Sequence, residues 1–319
     1  MLVKDRPLEK GFSLIELMIA LVLGLFLIGG VISVFMGSSR SFNSNEALSR
    51  VQENGRFALE LIAQDVRNTG YKGNCFVDAL DIIDTSDSDY KADAYDINDP
   101  IKGWDDPTGE FFVGDLTDYV AGTDLILVKH AAEDAGAVLS VNVDATDSTF
   151  ITVGGETPGA ILVMSDAAGC DMFQNTAASD TADLQRGTAG QTINNQSVAA
   201  KPLSHAYLAG GGTSISLFSS TLFYIGSGLT SSSALRSISY DNGAPNDQEL
   251  VEGVSDLTIT YGIASGAGST LDYSNTATQV QAAGDWDDVV AVRVTIDVDG
   301  DQNISHQFST TIALRNRLR

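Results

Sequence analysis

Cations, histidines and thiols are what this chain has least of. Its 319 residues hold 18 Lys and Arg against 42 Asp and Glu, for a formal net charge of −24 at pH 7. An acidic surface repels phosphate backbones, so direct binding of DNA or RNA fits poorly with this composition. The charge reads instead as solubility, of the kind a saline habitat demands. Only three histidines exist, His130, His205 and His306, and their spacing suggests no metal site. No G-x-S-x-G, phosphate loop or H-E-x-x-H occurs. The sequence therefore points to neither an enzyme nor a cofactor. The cysteines number two, Cys75 and Cys170.

Charge is also missing from one long stretch near the front. From Phe12 to Met36 the only ionisable residue is Glu16. As a helix those residues would extend roughly 37 Å, enough to cross a bilayer core of about 30 Å. Lys4, Arg6 and Lys10 in the preceding segment outnumber Asp5 and Glu9, which favours a cytoplasmic start and an exported remainder. No small-residue cleavage site follows the run, so it reads as a retained anchor rather than a conventional signal peptide. Both cysteines then lie in an oxidising compartment and point to a disulfide, with a pair of free buried thiols as the alternative.

Helical periodicity continues past the apolar run. Leu48, Val51, Gly55, Ala58, Leu59, Ile62 and Val66 recur at three-and-four spacing and form one stripe. Glu46 with Arg50, and Arg56 with Glu60, sit four apart and can pair on the wet side. Asp65 and Arg67 read as surface charges. Gly70 is a helix stop. The spacing predicts one helix from about Phe12 to Thr69, with bending or unwinding around Gly24, Gly29, Gly30 and Gly37.

Beyond Tyr71 the pattern changes to strands and turns. Ten β-favouring runs follow, from "DLILVKH" to "HQFSTTIAL". No helices alternate with them, so antiparallel pairing is expected. The Asp-rich segment 76–123 reads mostly as loop, and the polar tracts 175–200 and 263–285 as long surface loops. In "DVDGDQN", Asp297, Asp299, Asp301 and Asn303 alternate like the start of a calcium loop. Gly300 comes too early for an EF-hand, however, and Phe308 stands where a bidentate Glu is required. Two strands joined by an Asp-Gly turn is the better reading. Asp105–Asp106 and Asp287–Asp288 are taken as solvated loop acids.

The front end carries the most specific signal. Gly11-Phe12 followed by "SLIEL", after a basic leader and before a long apolar helix, resembles the class III signal of type IV pilins and type II secretion pseudopilins. "NGRFALELIAQDVRNTGYKGNC", "VMSDAAGCDMFQNT", "LVEGVSDLTITYGI", "WDDVVAVRVTIDV" and "TTIALRNRLR" resemble the PilW-type minor pilins. The resemblance implies cleavage between Gly11 and Phe12 by a prepilin peptidase, N-methylation of Phe12 and an assembly role for Glu16. It also places Cys170 in a family motif, so that a bridge to Cys75 would tie the helix exit to the sheet.

The expected architecture is α+β. It comprises a leader at 1–11, a membrane-spanning half-helix at 12–36, an amphipathic half-helix at 37–70 and an exported β-rich domain at 71–319. The implied function is that of a minor pilin that primes pilus assembly within a tip-associated complex, serving attachment and twitching motility. Its partners would be other minor pilins, the major pilin, the inner-membrane assembly platform and a tip adhesin. It would reside in the inner membrane first and in the pilus afterwards. A minor pseudopilin of type II secretion shares the same front end and is the alternative. A membrane-anchored exported hydrolase is disfavoured for want of a catalytic constellation.

Overall fold

In the computed structural model, the described residues are 11–317 apart from 155–157, 179–182, 191, 211 and 265–271. Residues 1–10 of the leader lie outside them. The chain divides into two compact units, residues 1–50 with 300–304 and residues 51–299 with 305–319.

One helix, α1 (Leu14–Asn68), opens the structure and runs for 55 residues without a break. Gly24, Gly29, Gly30 and Gly37 do not interrupt it, contrary to the expected bending or unwinding. Single glycines cost a helix only about 1 kcal/mol each, which a long apolar hydrogen-bonded run absorbs. In the first unit almost every apolar side chain from Phe12 to Met36 is exposed, Phe26 at 81% and Val34 at 74%. α1 is the one helix among the described residues long and apolar enough to cross a membrane.

In the second unit the rest of α1 has its own apolar partner. Val51, Gly55, Ala58, Ile62, Ala63 and Val66 are buried, while Leu48 and Leu59 of the expected stripe are not. Gly55 is needed for its size, since a Cβ there would lie 2.3 Å from the Phe308 ring. Glu60 pairs with Arg67 at 3.0 Å rather than with Arg56, whereas Glu46 does meet Arg50 at 2.7 Å. Gly70 adopts a left-handed φ of 77° and ends the helix.

The β-rich part follows in three sheets. Its elements are β1 (Leu80–Asp81), α2 (Ala92–Tyr95), β2 (Ile101–Trp104), β3 (Leu125–Asp134), β4 (Val138–Leu139), β5 (Thr149–Val153), β6 (Ile161–Ser165), β7 (Cys170–Gln174) and β8 (Asp183–Gln185). Then come β9 (Ser214–Gly226), β10 (Ala234–Ser239), β11 (Asn246–Glu252), β12 (Val254–Ile263), β13 (Asp272–Asn275), α3 (Ala277–Ala283), β14 (Val289–Gly300) and β15 (Ile304–Ala313). The largest sheet has the order β1-β7-β6-β9-β10-β11, with β3 also on β9 and β2 on β3. The others are β13-β12-β14-β15 and β4-β5-β8. Pairing is antiparallel except between β1 and β7, which run parallel, with Leu80 opposite Asp171.

Segment 76–123 is loop for most of its length, as expected, yet it contributes to the core: Ile82, Ile83, Tyr95, Ile97, Trp104 and Phe112 are all buried. The two long surface-loop expectations are corrected. Within 175–200, Leu184, Arg186, Ile193 and Asn195 are buried, and within 263–285 α3 buries Ala277 and Val280. The acid Asp105 is not simply solvated, since it accepts the N–H groups of Ala277 and Thr278 at 3.0 and 3.1 Å and so holds the start of α3. Burial would raise its carboxyl, but these bonds outweigh that and hold it below the usual range. The β14–β15 turn also differs from an Asp-Gly turn. Gly300 is extended, and the positive φ values fall on Gln302 and Asn303.

Candidate functional site

The front of α1 is assembled from four adjacent residues. Gly11 and Phe12 precede the helix, and Phe12 is 90% exposed. Ser13 stands at the helix start, where the first backbone N–H groups have no intrahelical acceptor. The Glu16 carboxylate accepts the Ser13 N–H at 3.0 Å, and the Ser13 Oγ accepts the Ile15 N–H at 3.4 Å. "SLIE" therefore caps the helix from both residues, with the Ser13 hydroxyl on the second amide of the helix and the Glu16 carboxylate on the Ser13 N–H, in the first turn where the helix dipole favours negative charge. The lone acid of the apolar run thus has a local role that sequence analysis missed, although Ser-x-x-Glu is its ordinary sign. The Gly11–Phe12 bond thus lies just outside a helix whose start its own side chains fix.

At the other end of α1 the exit is stitched to the sheet. The Gly70 N–H donates to the Lys129 carbonyl at 3.0 Å, and the Ala131 N–H donates to Tyr71 O at 2.6 Å. Cys75 and Cys170 form a disulfide with Cα atoms 5.8 Å apart, closing 95 residues of sequence separation. The bond ties the segment after the helix to the first residue of β7. Both cysteines are buried among Tyr95, Trp104, Phe112 and Leu222.

The histidines lie in three separate places. His130 is buried on β3, with Nδ1 3.1 Å from Ala131 O and Nε2 3.8 Å from Asp65, too far for a hydrogen bond. His306 is exposed and meets the Phe308 ring edge-on at 4.7 Å. His205 belongs to a cluster that sequence spacing could not show. Its Nε2 lies 2.9 Å from Asp166 and its Nδ1 2.9 Å from Ser204 Oγ. The three residue types are those of a hydrolase triad, yet the hydroxyl proton of Ser204 goes to Asp171 at 2.8 Å. Asp171 also accepts the Ser204 N–H and the Tyr207 hydroxyl, the latter at 2.6 Å. Burial raises the Asp171 carboxyl despite these bonds. At Asp166 burial is outweighed by hydrogen bonds from His205, Ala168 and Gly169, which lower it. The network clamps the β6–β7 turn to the 203–207 segment, and Ser204 is not poised as a nucleophile.

Asp297 and Asp299 lie on β14, while Asp301 and Asn303 follow in the turn. Among the described residues no group of three or more His, Cys, Asp or Glu could hold a metal ion. Asp287 is highly exposed and pairs with Arg317 at 3.2 Å.

With this geometry established, two family models match the chain. The prokaryotic N-terminal methylation motif matches residues 6–32, the stretch containing Gly11, Phe12 and the Ser13–Glu16 cap. The type IV pilus-assembly protein W model matches residues 222–316, from the middle of β9 to the segment after β15. Over residues 222–316 the chain is similar to the PilW family of type IV pilus-assembly proteins. Comparison with curated proteins and with solved structures gives no match. PilW proteins form an assembly family, and the part of this chain that matches holds the β12–β14–β15 sheet and the β9–β10–β11 meander. The motifs at 54–75 and 163–176 lie outside the matched residues.

Proposed function

We propose that this chain is a PilW-type minor pilin that primes type IV pilus assembly as part of a tip-associated complex. The observation that carries the reading is the exposed apolar front of α1, which opens with a side-chain cap directly after Gly11-Phe12. A surface of that size is untenable in water and calls for lipid first and neighbouring helices afterwards. The reading holds that peptidase cleavage falls between Gly11 and Phe12, and that Phe12 is then N-methylated. It assigns residues 1–11 to a leader, 12–36 to the membrane span, 37–70 to the amphipathic half-helix and 71–319 to the exported domain. The partners are other minor pilins, the major pilin, the assembly platform and a tip adhesin, and the outcome is attachment and twitching motility.

Glu16 has two tasks in this scheme. In the precursor it caps the helix. After cleavage the new Phe12 ammonium, of its own chain or a neighbour's, lies within reach and pairs with the carboxylate in low dielectric, setting depth and register. The test is removal of the chain followed by complementation. Loss of surface pili and twitching with type II secretion intact is expected, and Gly11→Leu should fail to restore piliation because it stays full length. Normal pili with lost secretion would make the chain a pseudopilin instead.

A further inference from the structure

Two of the sheets end in long edge strands, and the two edges are built differently. β11 carries Asp247, Glu249 and Glu252. Asp247 pairs with Arg236 at 2.7 Å, the Leu229 N–H donates to Glu249 at 2.7 Å, and Thr230 donates to Glu252. Charges and covering loops of this kind keep an edge from pairing with another chain. β15 has neither. From Ile304 to Leu314 the chain reads ISHQFSTTIAL, without a charge or a proline. β15 lies at the end of its sheet with β14 on one side. Among the described residues, no backbone group outside the sheet bonds to it. Ser305, Gln307, Ser309, Thr311 and Ala313 are all exposed. Ten residues give about 33 Å of unprotected ladder.

The edge also has a charge polarity. Asp297 and Asp299 of β14 flank its hairpin end. At the opposite end Arg293 donates to Thr311 at 3.3 Å, and the exposed Arg315 follows directly after β15. An incoming strand would find carboxylates at one end and guanidinium groups at the other.

A second copy of the chain does not fit. Phe308 packs at Gly55 while Asn316 donates to the Asn68 and Thr69 carbonyls, so β15 and the 55–68 part of α1 run in the same direction. An antiparallel pair of β15 strands would run the two 55–68 helix segments in opposite directions, which subunits sharing one polarity in a pilus cannot do. A parallel in-register pair would set Arg315 against Arg315, and like charges directly opposite repel.

From this we propose that β15 is a docking edge for an extended segment of a different pilus-assembly protein, which adds as a further strand to the β13-β12-β14-β15 sheet. That segment is uncharged along its middle, with a carboxylate at the end facing Arg293 and Arg315 and a Lys or Arg facing Asp297 and Asp299. The inference rests on the pilus-assembly reading of the chain.

The experiment is photo-cross-linking in piliated cells, using full-length chains with a photoreactive residue at Ser309 or Thr311, and at Gln248 of β11 as control. Recovery of each variant in sheared pili tests the assembly reading separately from the edge. The expected result is an adduct from Ser309 and Thr311, several-fold above Gln248, whose linked peptide belongs to another pilus-assembly protein. Arg315→Glu should reduce that yield several-fold and Arg315→Lys should keep it. An adduct with a second copy of the chain, equal yield at Gln248, or no adduct in a chain that enters pili would each overturn the proposal. Insensitivity to Arg315→Glu would overturn the polarity assigned to the edge.

Discussion

The two halves of α1 are one continuous helix with opposite relations to the rest of the chain. From Val51 onward one apolar stripe is buried, with Ala58, Ile62 and Val66 at 0% exposure. Before Met36 the apolar side chains are exposed, Ile28 at 57% and Phe35 at 72%. Both halves belong to the same unbroken helix, so secondary structure does not distinguish them. The difference is where the partner comes from. The rear half is satisfied within its own domain, and on the proposed reading lipid and other subunits supply the partner of the front half. Stability should therefore be sensitive to the rear half, and assembly to the front.

The largest effect that would sharpen this contrast is a pair of matched truncations. Ile62→Ala should destabilise the detergent-solubilised protein by about 2–5 kcal/mol. Ile28→Ala, with the same loss of atoms, should leave the melting temperature of the β-rich part unchanged. Equal losses at both positions would break the distinction. The disulfide extends the rear-half account to the helix exit, so Cys75→Ser should cost about 2–5 kcal/mol by chain-entropy reasoning, read from denaturant midpoints against the oxidised wild type, with the reduced wild type matching the variant.

The pH response is a smaller effect with a definite sign. Burial pushes the Asp81 carboxyl up from 3.8 to about 6, against hydrogen bonds from Ile83 and Tyr90, and raises Asp124 to about 6 as well. A group whose folded pKa exceeds its unfolded value contributes stability that is fully present below the unfolded pKa. That stability is lost as pH rises through the folded one. Melting temperatures should therefore fall between pH 4 and 6, and Asp81→Asn should flatten part of the fall. Asp105 and Asp247, held below the usual range, act in the opposite sense only at lower pH. A profile that rises from pH 4 to 6 would contradict the burial of these two acids.

Local patterns in the sequence were read correctly where the structure depends on them. The apolar run, the stripe ending at Gly70 and the β-branched strands from β3 to β15 all rest on short-range periodicity. Two predicted runs, "TSISLF" and "TLFYIG", merge into the single β9, because Ser219 and Ser220 between them are as much strand as turn by composition. What escaped depends on contacts between distant residues. "CDMFQ" carries a charge and an amide, yet all five of its residues are buried on β7, where Asp171 meets Ser204 and Tyr207. Asp105 is one of many acids until α3 arrives 172 residues later to be held by it. At the front Gly11-Phe12 falls within the stretch that the N-terminal methylation motif matches. The Ser13–Glu16 cap was legible as well, from Ser-x-x-Glu at the start of an apolar helix.

The central claim is that the Glu16 carboxylate serves assembly through its charge, beyond its role as a cap. Glutamine at this position keeps a capping acceptor and loses the charge, so the decisive comparison is Glu16→Gln beside Glu16→Ala. The measurement is immunoblotting of membrane and sheared-pilus fractions from cells carrying each variant. Both variants should insert and be cleaved after Gly11, and both should be depleted from pili. Glu16→Gln entering pili at wild-type levels would show that capping alone is what this carboxylate does, and the assembly role assigned to its charge would be wrong.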